Sequence, residues 1–527
     1  MALTTRLAFL LIAGALTACG SDDNGDSGAP QEPAAHPAPA SPALRQWTAP
    51  TLLELNPGTA SSPLIATDDA GNALALWVQT GSAPRSLHAA FYDSDTGAWR
   101  VNQVISGGTG TVDATPVYDD FLAAPRIQLA FAENGNALAV WAEARAGANE
   151  LWFNTFDSAT STWGTAERVV NQLDIPAQIP DPNAVPNPDP AAPPQLIDNP
   201  AYIAGAQSHP ALAVNADGNG LLAWVQTADD KQRVRAASFD AATKAWREHQ
   251  QELDSDVLTE EYTQTRLFAY PQVVLDAQGN GLVAWIKRSS VTGQAPTHDV
   301  LIRRMLTADN AAVAPDQPVA WQAAAPIDTV DGEAAHIQLA VDKTGNVLAV
   351  WTQYDGLRYR VYANRSDTSG AAWQGATRID DDNTGGDSYA SRITMNTAGN
   401  AIAWWSHADH ISSPTITTVT RRFRGDTGWV VTPANAVDTP ALPGYGSHAL
   451  LQLTPDNFAL AVWNSREGYN AYSQHNGADV WAPALQIAGL NDARDHALAQ
   501  SANGRAFSIW TFEDQRDVRN VYVSVFE

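Results

Sequence analysis

Eight positions in this 527-residue chain share one register and carry residues suited to binding. Each stands nine residues before a turn glycine or its equivalent: Ser62, Arg126, His209, Tyr270, His336, Ala390, His448 and Asp495, with His496 beside the last. Eight more stand two residues past a tryptophan: Gln79, Glu143, Gln226, Lys287, Gln353, His407, Ser465 and Phe512. Arg145, Arg288, Arg392 and Arg466 lie close by in sequence. The forked donors of arginine suit carboxylate or phosphate. Histidine gains charge as pH falls toward about 6.5. Set around one opening, Arg126, His209, Tyr270, His336, His448, Glu143, Lys287 and His407 would take an anionic or polyhydroxylated ligand, more tightly at mildly acidic pH. Strand ends that merely meet water would be polar too, so the reading stands or falls on whether these side chains converge. A separate run, Asp380-Asp381-Asp382-Asn383 with Asp387, offers the clustered oxygens that calcium prefers, although a solvated acidic turn explains it more simply and the spacing is not that of an EF-hand. Calcium at Asp380, Asp382 and Asp387 is the one cofactor this sequence suggests.

What must position these residues is a repeat. The stretch AVDKTGNVLAVWTQ, ending just past Trp351, recurs in variant form at Trp77, Trp141, Trp224, Trp285 and Trp405, and in worn form at Trp463 and Trp510. The Asp/Asn-x-x-Gly-Asn cluster reverses the chain, because Gly and Asn tolerate positive φ and Asp or Asn bonds nearby backbone. The apolar run after it suits a strand buried on both faces. A third strand follows (SLHAAFYD, RVRAASFD, RVYANRSD), and then a second tryptophan opens a fourth: Trp99, Trp163, Trp246, Trp321, Trp373, Trp429 and Trp481. Four strands per unit at this period predict an all-β, eight-bladed β-propeller of four-stranded blades. The eighth unit ends on its third strand, VYVSVFE, whereas an orphan fourth strand, QWTAPTLLEL, precedes the first. Joining the two closes the ring and removes exposed sheet edges. Its loops before each first strand and after each second strand share one face with the central channel, the default binding site.

The N-terminus reads differently. Residues 1–18 carry Arg6, an apolar stretch and then small residues, the pattern of a secretory signal peptide. Leu16-Thr17-Ala18-Cys19-Gly20 holds the chain's single cysteine and resembles the bacterial lipoprotein signal. The resemblance implies that Cys19 is lipidated and, with Gly20 after it, that the protein is anchored in the outer membrane. Residues 19–43 then form the lipidated cysteine and a disordered tether rich in Pro, Ala, Gly and Asp, and 44–527 the propeller. A formal charge of −26 disfavours nucleic acid and anionic membrane as partners.

The turn between third and fourth strands, as in YDSDTGAW (92–99), FDSATSTW (156–163) and FDAATKAW (239–246), resembles worn Asp boxes of sialidase-like propellers. Those turns are structural in that family and carry no activity over. The family's arginine triad and Tyr/Glu pair match no positions here. In address and architecture the chain is also similar to the outer-membrane assembly lipoprotein with eight Trp-marked blades. It lacks the adjacent cysteine pair of quinoprotein dehydrogenases.

Long loops at 106–124, 171–207 and 252–269 interrupt the repeat, the second of them Pro-rich. No nucleophile elbow, His-Glu-x-x-His, phosphate loop or dinucleotide fingerprint occurs. The sequence therefore favours a non-catalytic envelope lipoprotein whose propeller face binds a protein or envelope polymer. The alternatives are a sialidase-like glycan-active hydrolase or lectin and a scaffold in an outer-membrane assembly.

Overall fold

The computed structural model describes residues 45–527 apart from short breaks and longer ones at 114–126, 170–177, 181–195, 199–205, 256–269, 290–296, 409–415 and 431–446. The described chain is nearly all β, its one helical piece being the single turn Thr307–Asn310. We number the units 1 to 8 by their tryptophans, from Trp77 to Trp510. Each contributes one antiparallel sheet of at least four strands among the described residues. In unit 5 the order is Ala334–Val341, Val347–Tyr354, Tyr359–Asp367 and Ala372–Trp373. The Pro-rich insertion holds one small hairpin, Gln178–Pro180 against Leu196–Asp198.

First strands of successive units touch one another in chain order, and that of unit 8 touches that of unit 1. This is a β-propeller arrangement. At the seam, Thr51–Leu52 pairs with Arg519–Phe526, and Trp47 bridges Phe526. Thr48 accepts the Val525 N–H through Oγ1 at 3.0 Å, and its carbonyl accepts the Ser524 hydroxyl at 2.7 Å.

The second strands are buried on both faces, as their composition dictates: seven of the eight residues of Val347–Tyr354 are buried. Their tryptophans are at most 2% exposed and knit the ring together. Trp141 packs on Leu76 and Val78 of unit 1, Trp351 on Ala284 and Ile286 of unit 4, and Trp77 on Phe507 and Ile509 of unit 8. Each thus fills the gap between two sheets, a contribution of a few kcal/mol for so large an apolar surface. Four of the second tryptophans, Trp99, Trp163, Trp246 and Trp429, face an aromatic across the outer strand pair, as Trp163 does Phe156 at 5.6 Å and Trp246 does Phe239 at 5.2 Å.

At the turn face the repeat's polar residues explain themselves. Asp342 accepts Asn346 N–H at 2.9 Å and Asn346 Nδ2 at 2.7 Å, around Gly345 at φ +86°. The same asparagine position reaches outward elsewhere. Asn72, Asn136, Asn219, Asn280 and Asn400 each accept, through Oδ1, a backbone N–H of the unit's outer turn at 2.9–3.2 Å. Neighbouring units are tied here as well: Asn134 Nδ2 donates to Asp217 O, and Asn503 Nδ2 of unit 8 to Ala70 O of unit 1.

Candidate functional site

The opposite end of the ring holds the sequence-predicted positions. Six of the nine-before-glycine positions fall on a bulge. Register shifts occur between Ser61 and Leu64, Ser208 and Ala211, Ala335 and Gln338, Tyr389 and Arg392, Ser447 and Leu450, and Arg494 and Ala497. Within these bulges Ser62, His209, His336, Ala390 and Asp495 have φ between 48° and 55°. A non-glycine residue held there costs about 1–2 kcal/mol, so the repeat sustains strain at the same point of five units.

Neighbouring bulges touch. His209 stacks on Tyr270 with ring centroids 4.0 Å apart and 14° between planes. His336 accepts the Ala390 N–H at Nδ1 (3.4 Å), and its carbonyl accepts the Ser391 hydroxyl at 3.3 Å. The structure corrects one expectation about His336. It is 3% exposed rather than standing in a water-filled mouth. Burial, helped by the Arg392 cation, pushes its pKa down to about 3, so it does not become a cation at mildly acidic pH. Arg392, two residues beyond Ala390, is closely surrounded by protein while keeping some contact with solvent. Desolvation pulls its pKa down to about 10.

Two exit residues bond the indole of their own repeat tryptophan. Gln79 and Gln353 accept the indole N–H of Trp77 and Trp351, at 3.1 and 2.8 Å. Glu143 is 1% exposed beneath the Gly110 backbone, where a Cβ would lie 2.7 Å from its Cγ. Lys287 pairs with Asp254 at 2.5 Å, and the same carboxylate accepts the Trp285 indole at 3.0 Å. His407 Nδ1 lies 3.3 Å from the hydroxyl of Ser388, which is wholly buried and donates to Asp380 at 3.1 Å. The side chain of His448 lies outside the described residues, as do Arg126, Asp382 and Cys19.

Two of the three carboxylates proposed for calcium, Asp380 and Asp387, already have protein donors. Asp380 is buried between Arg378 (2.8 Å) and Arg360 (3.8 Å). Asp387 accepts the Tyr359 N–H and the Tyr389 hydroxyl, both at 3.0 Å. Among the described residues no group of three or more His, Cys, Asp or Glu is arranged to hold a metal.

Sequence reasoning passed over what lies beside these groups. Tyr354, Tyr359 and Tyr389 form one cluster, with centroids 5.2 Å apart for the first pair and 5.8 Å for the second. Glu333 accepts the Tyr359 hydroxyl at 3.2 Å, and Arg360 pairs with Asp355 at 3.2 Å. Burial and then Asp387 raise the Tyr389 phenol, which stays protonated. A signal was present: Tyr354 and Tyr389 each sit one residue from a ruler position, Gln353 and Ala390. Asp328, between units 4 and 5, was also missed; desolvation raises its carboxyl to about 6. A cavity of about 370 Å³ lies at the turn face between units 3 and 4, beside Asn219, Arg247 and Thr307.

No family model and no curated protein matches the chain. Among solved structures it is similar to a protein of unknown function from Dyadobacter fermentans DSM 18053 (11% identity, 92% of this chain and 99% of that one, TM-score 0.37). It is also similar to a PL25 ulvan lyase (9% identity, 91% and 95%, TM-score 0.45) and to a Penicillium chrysogenum α-L-arabinanase complexed with arabinobiose (10% identity, 60% and 92%, TM-score 0.33). Likeness of this degree carries nothing about activity; the sheet order and the contacts between first strands define the ring.

Proposed function

We propose that the chain is an eight-bladed β-propeller of four-stranded blades, closed by its N-terminal strand, that binds a glycan at the mouth of blades 5 and 6. The observation that carries the reading is the tyrosine cluster. Tyr354 and Tyr389 are half-buried, with carboxylates and arginines fixed around them. Aromatic faces suit the C–H faces of a sugar ring, and preset acceptors suit its hydroxyls. This favours the glycan alternative over a protein partner. The neighbours that act on polysaccharides agree with it in kind but add no weight at their level of similarity. Binding rather than catalysis is the simpler role, because the Ser388 hydroxyl beside His407 is buried and bonded to Asp380. The test is an oligosaccharide array followed by calorimetry on Tyr354→Ala/Tyr389→Ala. A bound glycan should lose at least about tenfold in affinity with cooperative unfolding retained. An unaffected double variant, or a wild type that binds no glycan, would refute the reading.

Lipidation of Cys19 and attachment to the outer membrane belong to the same proposal and rest on the N-terminal sequence. Cys19→Ser should move the protein from the membrane fraction to the soluble one. Wild type without a lipid label would end that part of the proposal.

A further inference from the structure

We propose that Arg392 and His336 form a binding site for a single oxyanion, a carboxylate or a sulfate-type group, inward of the tyrosine cluster. The proposal names the charge of the ligand; it rests on the glycan reading only for the oligosaccharide arm of its test.

Other arginines of units 4 to 6 have partners. Arg378 and Arg360 pair with Asp380 and Asp355. Arg303 donates to the Gln322 and Leu253 carbonyls, and Arg421 to Val430 O. Arg392 differs. Its guanidinium has no hydrogen-bond or ion-pair partner among the described residues, and the charged or titratable group it acts on is another donor, His336. A largely desolvated cation with no counter-charge among the described residues is unusual, and its depressed pKa is the electrostatic mark of that state.

His336 adds the second donor. The Ala390 N–H points at Nδ1, so the neutral ring carries its proton on Nε2. That Nε2 is buried and has no hydrogen-bond partner among the described residues. Leaving such a donor unsatisfied costs about 1–3 kcal/mol. Here it persists beside an unpaired guanidinium, on two adjoining bulges strained at His336 (φ 55°) and Ala390 (φ 53°). Unsatisfied polar groups and non-glycine residues at positive φ are tolerated where surrounding structure enforces them, commonly at ligand sites. An oxyanion would resolve both features at once. Two of its oxygens would face the arginine fork, and one would also accept the imidazole Nε2–H. Because His336 remains neutral, it contributes a directed hydrogen bond, and Arg392 supplies the charge.

The position fits the tyrosines. Tyr389 and Arg392 lie on one strand, Asp387–Met395, and His336 follows Ala335, which packs with Tyr354, Tyr359 and Tyr389. The anion site is thus one residue from the cluster along the first strand of unit 5, at His336, and three residues from it along that of unit 6, at Arg392.

The test has two arms. In the first, crystals of the full chain are soaked in selenate, a sulfate analogue with an anomalous signal. Density beside Arg392 in wild type, absent in Arg392→Gln, supports the site. Wild-type crystals with no density there, or equal density in the variant, overturn it. In the second, wild type, Arg392→Gln and Arg392→Lys are titrated with a uronic-acid oligosaccharide and with its carboxyl-reduced, neutral counterpart. Arg392→Gln should weaken the acidic ligand about 10- to 100-fold and leave the neutral one unchanged, with Arg392→Lys between. Equal weakening of both ligands counts against the anion site. Wild type that binds neither refutes the glycan reading, and the selenate result then decides the anion site by itself.

Discussion

At the turn face, Asn72, Asn136, Asn219, Asn280 and Asn400 do the same thing: each takes one N–H of its unit's outer turn. At the mouth, the corresponding repeat positions hold Ser62, His209, Tyr270, His336 and Ala390; His209 stacks on Tyr270 and bonds Ser208, whereas His336 accepts the Ala390 N–H. Both ends use the same strands. The turn face spends its polar residues on its own backbone, in patterns closed within a unit or onto its neighbour. The mouth leaves a few side chains bonded to one another across units, and leaves Arg392 and His336 Nε2 without partners among the described residues. Uniform chemistry at one end keeps the ring in register, and non-uniform chemistry at the other is where recognition can differ from blade to blade.

Removing one of the uniform ties should have the larger effect. Asn280→Ala deletes the bond to Thr307 N–H and the one from its Nδ2 to Asp276 Oδ2, at 3.0 and 2.9 Å. The expected loss is about 2–3 kcal/mol, since one acceptor is a carboxylate. Urea unfolding measures it, and a loss below about 0.5 kcal/mol would show that the asparagine ties do not hold the ring.

A smaller, pH-dependent effect should come from the mouth. The folded-state pKa of His336, about 3, lies below the ordinary 6.5. The unfolded chain therefore binds the proton first, and stability is lost as pH falls below 6.5. Integrated to pH 5, His336 accounts for about 2 kcal/mol of that loss. Asp328 has the opposite sign: its folded pKa of about 6 is raised, so its contribution is greatest at low pH and fades as pH rises through 6. His336→Gln in an Asp328→Asn background should hence show a flatter stability profile between pH 5 and 7 than Asp328→Asn alone. Parallel profiles would mean that His336 titrates normally and that the mouth is wetter than its burial indicates.

The repeat, the paired tryptophans, the turns and the seam at the N-terminal strand could all be read from sequence, because each depends on residues close together or on a period that recurs. The ruler also found the strained bulges, although it could not say they were bulges. It misjudged the exit residues: Gln79 and Gln353 look like a polar rim, yet each serves the indole two residues before it. Spacing cannot show which way a strand-end side chain turns.

The sequence alone determined that eight similar units alternate apolar strands with Asx turns, and where each tryptophan falls, since hydrophobic period and turn chemistry act over a few residues. Only the tertiary structure decided that Tyr354, Tyr359 and Tyr389 share one patch, that Asp380 and Asp387 bond arginine and tyrosine, and that His336 is buried beside Arg392. Those facts depend on which strands the closed ring brings side by side. Burial then sets the charge state of each group, because desolvation comes from neighbours distant in the chain.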